Sequence, residues 1–557
     1  MLLVYGPRST EYDFGPNHPL TPRRFGPGID LLRSLGAEPA LAPEPATDTE
    51  LRWCHTPEYI EVVRRFAVDP YGFPEAGIAD WSDCPPFADM HEASAAVVGG
   101  SVRAVEAILR GEVEHAFHPG GGLHHAMPAR ASGFCIYNDP ALAIARARAD
   151  GLRVLYVDLD VHHGDGVQAL FWGDPGVMTF SIHETGRALF PGTGEAWEIG
   201  EGTAAGCAVN VPVMPGTGEG AWLAAVDAVL PGLAASFGPD LIVSQHGADS
   251  HAWDPLAHLN VTTTAHGAAA RLVDRLAHRY AGGRWLATGG GGYDAYRVVP
   301  RTWALTWLAG SHLDVPPSTP PAWRERWAAE ATRYGQAPLP ETFDDVPNAG
   351  LEVGTAQVAA EASTARGAAL VRRVLVPRLV REAIDRGWWD PLVGQPAQPG
   401  APDHTVGSPR LLDVVDADLW SRLTLAPWVI APASPSDGHA IVLAALRDGA
   451  AGRVAVRAVV VGTRVVGVGI AVDGALLAFG VAPGHRRTGL GRALLDALGP
   501  DVASAEVTVA ERDPFDPLEA SERIDVAARM LRAAGLTVDR ESDEIGALDP
   551  DALVARR

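Results

Sequence analysis

The chain has 557 residues, 47% hydrophobic and 20% charged, which is enough to bury a core and too long for one ordinary domain. With 68 acidic against 45 basic residues the formal charge is −23, so a duplex-wrapping nucleic-acid binder and a partner of anionic membranes are both excluded as expectations. Cys54, Cys84, Cys135 and Cys207 are scattered and form no CxxC pair, which excludes a disulfide scaffold and a Cys-rich zinc finger.

The opening MLLVYGPRSTEY has too short an apolar run for a signal peptide. The most apolar region, Val454–Val472, is broken by Arg457 and Arg464, so a soluble, cytoplasmic chain with no membrane partner is expected. Every basic residue is an arginine; a GC-rich coding bias is the plain explanation.

Up to about residue 310, short apolar runs alternate with helical patterns. His91–Arg110 reads as a helix, Val154–Leu159 (VLYVDL) as a strand, Gly220–Phe237 as a helix, and Leu241–Ser244 and Trp285–Thr288 as strands. Apolar strands without alternation, joined by helical crossovers, predict a parallel sheet covered on both faces. In such a sheet the chemistry collects in the loops beyond the strand C-terminal ends, and those loops hold the unusual motifs. Trp323–Tyr334 and Ala362–Gly387 look helical, with Pro377 kinking or breaking the second. The Pro/Gly-rich stretch Val393–Pro409 reads as a semi-rigid linker, and Arg410–Arg557 has the length of one further small domain. Within it, Arg453–Ala482 reads as a meander of antiparallel strands broken at GT and DG turns.

Three clusters carry chemistry. Tyr156–Gly166 reads YVDLDVHHGDG; alternate residues of an extended strand face one way, so Asp158, Asp160 and His162 can converge from one strand end. A carboxylate and an imidazole two residues apart suit Zn²⁺ or a similar divalent ion, and Asp249, beyond the strand Leu241–Ser244, is the best candidate for a third ligand. Three protein ligands leave an open position, the mark of a catalytic site. A lone Asp-x-His is more often a turn pair; here His163 and Asp165 crowd the same region. In HPGGGLHHAM the tandem His124 and His125 can offer a general base with an electrostatic partner, although a bare His-His pair is also a common surface feature. In ATGGGGYDAY four glycines let the backbone approach a ligand closely, and Tyr293 can donate its phenol proton to a developing oxyanion.

Together with DFGPNHPLTPRR, SDCPPF, SGFCIYND, MTFSIHE, LFPGTGE and QHGADSHAWDPL, in this order along residues 1–313, these motifs resemble the zinc-dependent histone deacetylase superfamily, above all its bacterial acetoin-utilization branch. The resemblance implies an arginase-like three-layer α/β/α fold with a parallel sheet. It implies Asp160, His162 and Asp249 as zinc ligands, His125 as general base and His124 as its partner. Asp158 and Asp165 would orient the two imidazoles, and Tyr293 would donate to the oxyanion. It further implies a channel walled by Phe134 and Phe190, backbone contact from Gly133, a rim carboxylate at Asp83 and an arginine, Arg24, beneath the metal. A potassium ion would sit with Asp158, Asp160, His162, Ser181 and the Ile182 carbonyl, and a second, on a departing loop, with Phe171, Asp174 and Val177. Acetylpolyamine-selective relatives carry Glu where this chain has Leu256, which favours acetyl-lysine in a protein, such as an acetyl-CoA synthetase, over a polyamine. An arginase would need an Asp where His251 stands.

Arg486, Arg487, Thr488, Gly489, Leu490 and Gly491 follow the meander and open a helix, and small residues there free backbone N–H groups for a pyrophosphate. With AARMLRAAGLTV, Ala527–Val538, this resembles the GNAT family of N-acetyltransferases, which bind acetyl-CoA. The chain departs from that family at Leu531, where its members often have a catalytic tyrosine. The expected organisation is a zinc-dependent deacetylase domain over 1–315, its helical extension over 316–392, a linker over 393–409 and a smaller α+β GNAT-like domain over 410–557. The alternatives are an acetylpolyamine amidohydrolase and an acetyl-CoA-sensing regulatory fusion. A chain joining deacetylase and acetyltransferase functions without any lysine would also escape acetylation of its own side chains.

Overall fold

The computed structural model describes residues 1–345 continuously and then residues 359–365, 367–368, 371, 389–390, 395–396, 410–413, 424–425, 454–461, 464–472, 475–481, 490–498, 504–508, 531–532, 537–542 and 548–556. The chain divides into two compact units, residues 1–226 with 239–371, and residues 227–238 with 372–557.

The elements up to residue 333 are β1 (Leu2–Val4), α1 (Phe25–Ser34), β2 (Pro39–Leu41), α2 (Asp48–Leu51), α3 (Pro57–Val68), α4 (Met90–Leu109), β3 (His115–His118), α5 (Asp139–Ala149), β4 (Val154–Asp158), α6 (Asp165–Leu170), β5 (Val177–Glu184), β6 (Ala208–Val213), α7 (Glu219–Phe237), β7 (Leu241–Gln245), α8 (Thr263–Tyr280), β8 (Trp285–Thr288), α9 (Val299–Gly310) and α10 (Pro321–Arg333). The eight strands form one sheet in the order β2-β1-β3-β8-β7-β4-β5-β6. Every neighbouring pair is parallel, as the unalternating strands predict. All five residues of β4 and of β7 are buried, because helices cover both faces: α4 packs on β3 and β8, while α9 packs on β3 and α8 on β7. Helix starts are capped locally: Thr56, Asn138 and Thr262 accept from Tyr59, Ala141 and Ala265 N–H, each cap contributing about 1 kcal/mol.

The strand order positions the site. The chain passes from β3 to β4 and only later inserts β7 and β8 between them. The loops after β3, β8, β7 and β4 therefore emerge side by side at the C-terminal edge, where the order reverses and a crevice opens. Helix α7 is the one described helix long and apolar enough to cross a membrane, and 61% of its most apolar window is buried, as in a core helix. The helix read from the sequence over Gly220–Phe237 matches it.

In the second unit the meander is present: Val454–Val461, Arg464–Val472 and Ala475–Val481 pair antiparallel in succession. Arg410–Asp413 flanks the first of these strands, and Ser504–Thr508 lies parallel to the third, followed in the sheet by Leu548–Arg556 and Thr537–Ser542. Leu490 and Gly491 begin the helix Leu490–Leu498, whereas Arg486, Arg487, Thr488 and Gly489 lie outside the described residues. Of the expected helix Ala362–Gly387, the described residues 362–365, 367–368 and 371 are helical, and Pro377 lies outside them. Within the stretch read as a linker, Gln395 and Pro396 pair antiparallel with Asp390 and Trp389; its remaining residues lie outside the described ones.

Candidate active site

Asp160, His162 and Asp249 present three ligand atoms within 4.8 Å of one another, and all three residues are buried. His162 Nδ1 lies 3.0 Å from Asp160 Oδ1 and 3.2 Å from Asp249 Oδ2. Asp160 and His162 stand just past β4 and Asp249 just past β7, its parallel neighbour, so one crevice gathers them. Gln245 Nε2 and Gly291 N–H donate to Asp160 Oδ2 at 2.6 and 2.9 Å, and Val161 N–H donates to Asp249 Oδ1 at 2.9 Å. A Cβ on Gly291 would overlap Asp249 Oδ2, so the glycine run is needed for this approach. Burial and the neighbouring Asp160 push the Asp249 carboxyl up to about 6. Two buried carboxylates converging on one imidazole are a donor set that fits a divalent cation. His251 is turned away, bonded to Asp345 Oδ2 at 2.8 Å, and supplies no ligand for a second ion.

The tandem histidines lie against this triad. Their rings are 3.9 Å apart, and the His125 ring is 5.8 Å from that of His162. His124 Nδ1 is 2.7 Å from Asp158 Oδ2, which also accepts from Tyr156 Oη at 2.7 Å. His125 Nδ1 is 2.6 Å from Asp165 Oδ1. Burial opposes charge on both rings, but Asp158 and Asp160 reverse it at His124, which is pushed up to about 9. At His125 burial and the adjacent His124 prevail over Asp165, and its value falls to about 4. One imidazole of the pair is held charged and the other neutral. The loop carrying them is held by Asp139, which accepts from Gly122 N–H at 3.0 Å and Leu123 N–H at 2.8 Å.

A narrow pocket leads to these groups, lined by His124, His125, Asp160, His162, Tyr293, Gly133, Phe134 and Leu20. Phe134 meets the Tyr293 ring edge-on at 5.8 Å, and Phe190 meets His125 edge-on at 5.0 Å while itself 42% exposed. Gly133 and Phe134 both have left-handed backbone, φ +54° and +67°. For Phe134 that conformation is strained, and it is held by Tyr12 Oη, which donates to Phe134 O at 2.7 Å. Asp83 Oδ2 accepts from Gly133 N–H at 2.8 Å, so the rim carboxylate braces the channel wall. Burial, helped by Asp249 and Asp160, pushes the Tyr293 phenol well above its ordinary value, so it keeps its proton. Arg24 is buried and donates to Gly290 O at 2.7 Å; burial lowers it to about 10, against the pull of Asp249 and Asp160.

Ser181 pairs in register with Asp158 across β4 and β5, with Ile182 next along the strand, and Ser181 Oγ lies 2.8 Å from His183 Nδ1. In the turn of Phe171, Asp174 and Val177, the Asp174 carboxylate is held by Arg148 at 2.9 and 3.0 Å. Leu256 N–H donates to Asp254 Oδ1 at 3.0 Å. Sequence reasoning missed Gln245, Asp254, Asp139, Tyr12 and Leu20 as members of the site. Gln245, Asp254 and Asp139 stand inside the motifs QHGADSHAWDPL and SGFCIYND; Tyr12 has no local signature.

Residues 18–309 match the family described as "Histone deacetylase domain". The chain is 42% identical over 350 residues to the "Acetoin utilization protein AcuC" of Bacillus subtilis (strain 168), covering 62% of this chain and 89% of that protein. Its structure is similar to that of an HDAC homolog complexed with SAHA (TM-score 0.57, 30% identity, 65% of this chain, 99% of that one). It is similar also to an HDAC homolog from Aquifex aeolicus (TM-score 0.56, 29% identity, 65% of this chain, 99% of that one).

Proposed function

This chain belongs to the histone deacetylase family, and from that premise we propose that it hydrolyses the acetyl amide of N6-acetyl-lysine in a protein, with zinc held by Asp160, His162 and Asp249. The observation that carries the reading is the pair of buried His–Asp couples set against the three-ligand cluster at the foot of one aromatic-walled cavity. A zinc ion there would supply Lewis acidity toward the acetyl carbonyl and the attacking water.

The chain's own groups do the rest. His125, neutral with its Nδ1 proton held on Asp165, has an Nε2 lone pair to take the proton of the attacking water. His124, charged against Asp158, stabilises negative charge developing beside it. Tyr293, still protonated, donates to the carbonyl oxygen as it becomes an oxyanion. His125 then gives its proton to the lysine amine as the C–N bond breaks. Phe134 and Phe190 grip the aliphatic stem, Gly133 meets it through its backbone and Asp83 accepts from the substrate backbone at the rim. Arg24 keeps the base of the site cationic. Potassium would be held by Asp158, Asp160, His162, Ser181 and the Ile182 carbonyl; the β4–β5 register supports the grouping.

The likeness to acetoin-utilization proteins supports a metabolic target such as an acetyl-CoA synthetase. Leu256 beside Asp254 offers no charge to a polyamine, which favours a protein substrate over an acetylpolyamine. In the second unit, acetyl-CoA binding at Arg486–Gly491 is supported by the helix that Leu490 opens and by the parallel neighbours it joins. The described pairing of those strands covers only Ala475–Ser504 and Leu476–Ala505. The deciding experiment is cleavage of an acetyl-lysine peptide beside acetylspermidine, with and without a chelator, by the purified chain and by Tyr293→Phe. Chelator-sensitive peptide cleavage that the substitution abolishes is expected; polyamine cleavage alone overturns the substrate. Calorimetric titration with acetyl-CoA tests the second unit, where a flat trace rejects the site.

A further inference from the structure

A second cluster of ligand-type side chains lies at the opposite end of the sheet. His115 opens β3, Asp274 and His278 stand four apart on α8, and His312 follows α9. Four atoms meet: His115 Nε2, His278 Nε2, His312 Nε2 and Asp274 Oδ1. His278 Nε2 is 3.0 Å from both His115 Nε2 and His312 Nε2. Asp274 Oδ1 is 3.1 Å from His312 Nε2, 3.4 Å from His115 Nε2 and 3.5 Å from His278 Nε2. A tetrahedral ion with bonds of about 2.0–2.1 Å has ligand–ligand edges of about 3.3–3.4 Å, and the observed separations of 3.0–3.5 Å bracket that range.

Hydrogen bonding alone satisfies such a cluster poorly. An imidazole nitrogen offers one proton or one lone pair, so it makes one good hydrogen bond. Here each nitrogen faces two or more polar neighbours at 3.0–3.5 Å. A cation at the centre engages all four lone pairs at once.

The backbone also meets a cost to bring one of these ligands in. His312 N–H bonds to Ala309 O and Leu313 N–H to Leu308 O, which makes His312 the left-handed residue that closes helix α9. Its φ is +55°, at a position where glycine is usual and a side chain is disfavoured. Strain of this kind collects where a side chain has work to do. His115 is 3% exposed, and its ring is held edge-on against Trp285 at 5.6 Å.

The geometry points to a second metal site, formed by His115, Asp274, His278 and His312, that takes a zinc-like divalent ion as a closed, structural centre clamping β3, α8 and the end of α9. Four protein ligands leave no position open, in contrast to the three-ligand cluster at the other end of the sheet. Three nitrogens and one oxygen in a tetrahedron favour zinc; nickel and copper compete by affinity.

The test is metal content. The full chain, stripped by chelator, reloaded with Zn²⁺ and desalted, is expected to hold two equivalents by mass spectrometry. The His278→Ala/His312→Ala chain is expected to hold one and keep its hydrolytic activity, and Asp274→Asn to bind the second equivalent at least tenfold more weakly. Both histidines are partly exposed, 39% and 53%, so their removal spares the core. Cobalt in place of zinc should give tetrahedral visible absorption that falls by about half in the double variant. One equivalent in the unsubstituted chain, or a second equivalent that survives the double substitution, overturns the proposal.

Discussion

Asp254 holds Tyr293 through the backbone: its Oδ2 accepts from Tyr293 N–H at 2.8 Å while its Oδ1 accepts from Leu256 N–H at 3.0 Å. One carboxylate thus ties the loop after β7, which carries Asp249, to the loop after β8, which carries the phenol. Replacing Asp254 with Ala frees both N–H groups and loosens Tyr293 by a fraction of an ångström. We expect kcat on an acetyl-lysine peptide to fall roughly 10- to 100-fold, with KM and metal content little changed. Asp254→Asn, which keeps one acceptor, should recover part of the loss. A pure KM effect would argue against this positioning role.

Tyr293→Phe removes the donor and keeps the ring that meets Phe134 at 5.8 Å. Loss of one oxyanion donor costs about 10²–10³ in kcat. The thermal midpoint should stay within a degree or two, which a melting curve on the same preparation checks. A variant within fivefold of the original rate would remove Tyr293 from the mechanism.

Leu256 is the position to change for substrate. Leu256→Glu puts a carboxylate beside Asp254, where an internal ammonium of a polyamine could meet it. The ratio of kcat/KM for acetylspermidine to that for peptide should rise by about tenfold, in line with about 1.4 kcal/mol of added attraction. An unchanged ratio would show that selectivity lies elsewhere on the rim.

Stability should fall in mild acid. His55 accepts from Asn138 N–H through Nε2 and bonds to Met127 O through Nδ1, so the fold requires its neutral form. Burial lowers His55 to about 4 and His118 and His246 to about 3. In the unfolded chain these rings take protons below about 6.5 while the folded chain refuses them, so their contribution to stability is full above that pH and declines from there down to about 3–4. Each ring contributes a slope of about 1.4 kcal/mol per pH unit inside that window. Thermal midpoints measured from about pH 6.5 to 4.5 should drop steeply; a level profile down to about 4.5 would contradict the neutral-histidine account.

Much of the site is written locally. Asp158, Asp160 and His162 share a strand end because side chains alternate along a strand, and the tandem His124–His125 is visible as a pair. The parallel sheet follows from β4 and β7, whose unbroken apolar runs need cover on both faces. Sequence alone therefore determined the class of fold, the strand end that gathers the candidate ligands and the identity of the catalytic candidates.

Only the tertiary structure decided which of them meet. The order β3-β8-β7-β4 sets four loops side by side, although β3 and β8 are far apart along the chain, and no periodicity encodes that adjacency. The bracing by Tyr12, Gln245 and Asp254, like the cluster of His115, Asp274, His278 and His312, depends on strand order and helix packing. In the histidine cluster only Asp274 and His278 are close enough in sequence to share a helix face. The local pattern records which way a side chain points; which side chain it faces is settled when distant segments pack together.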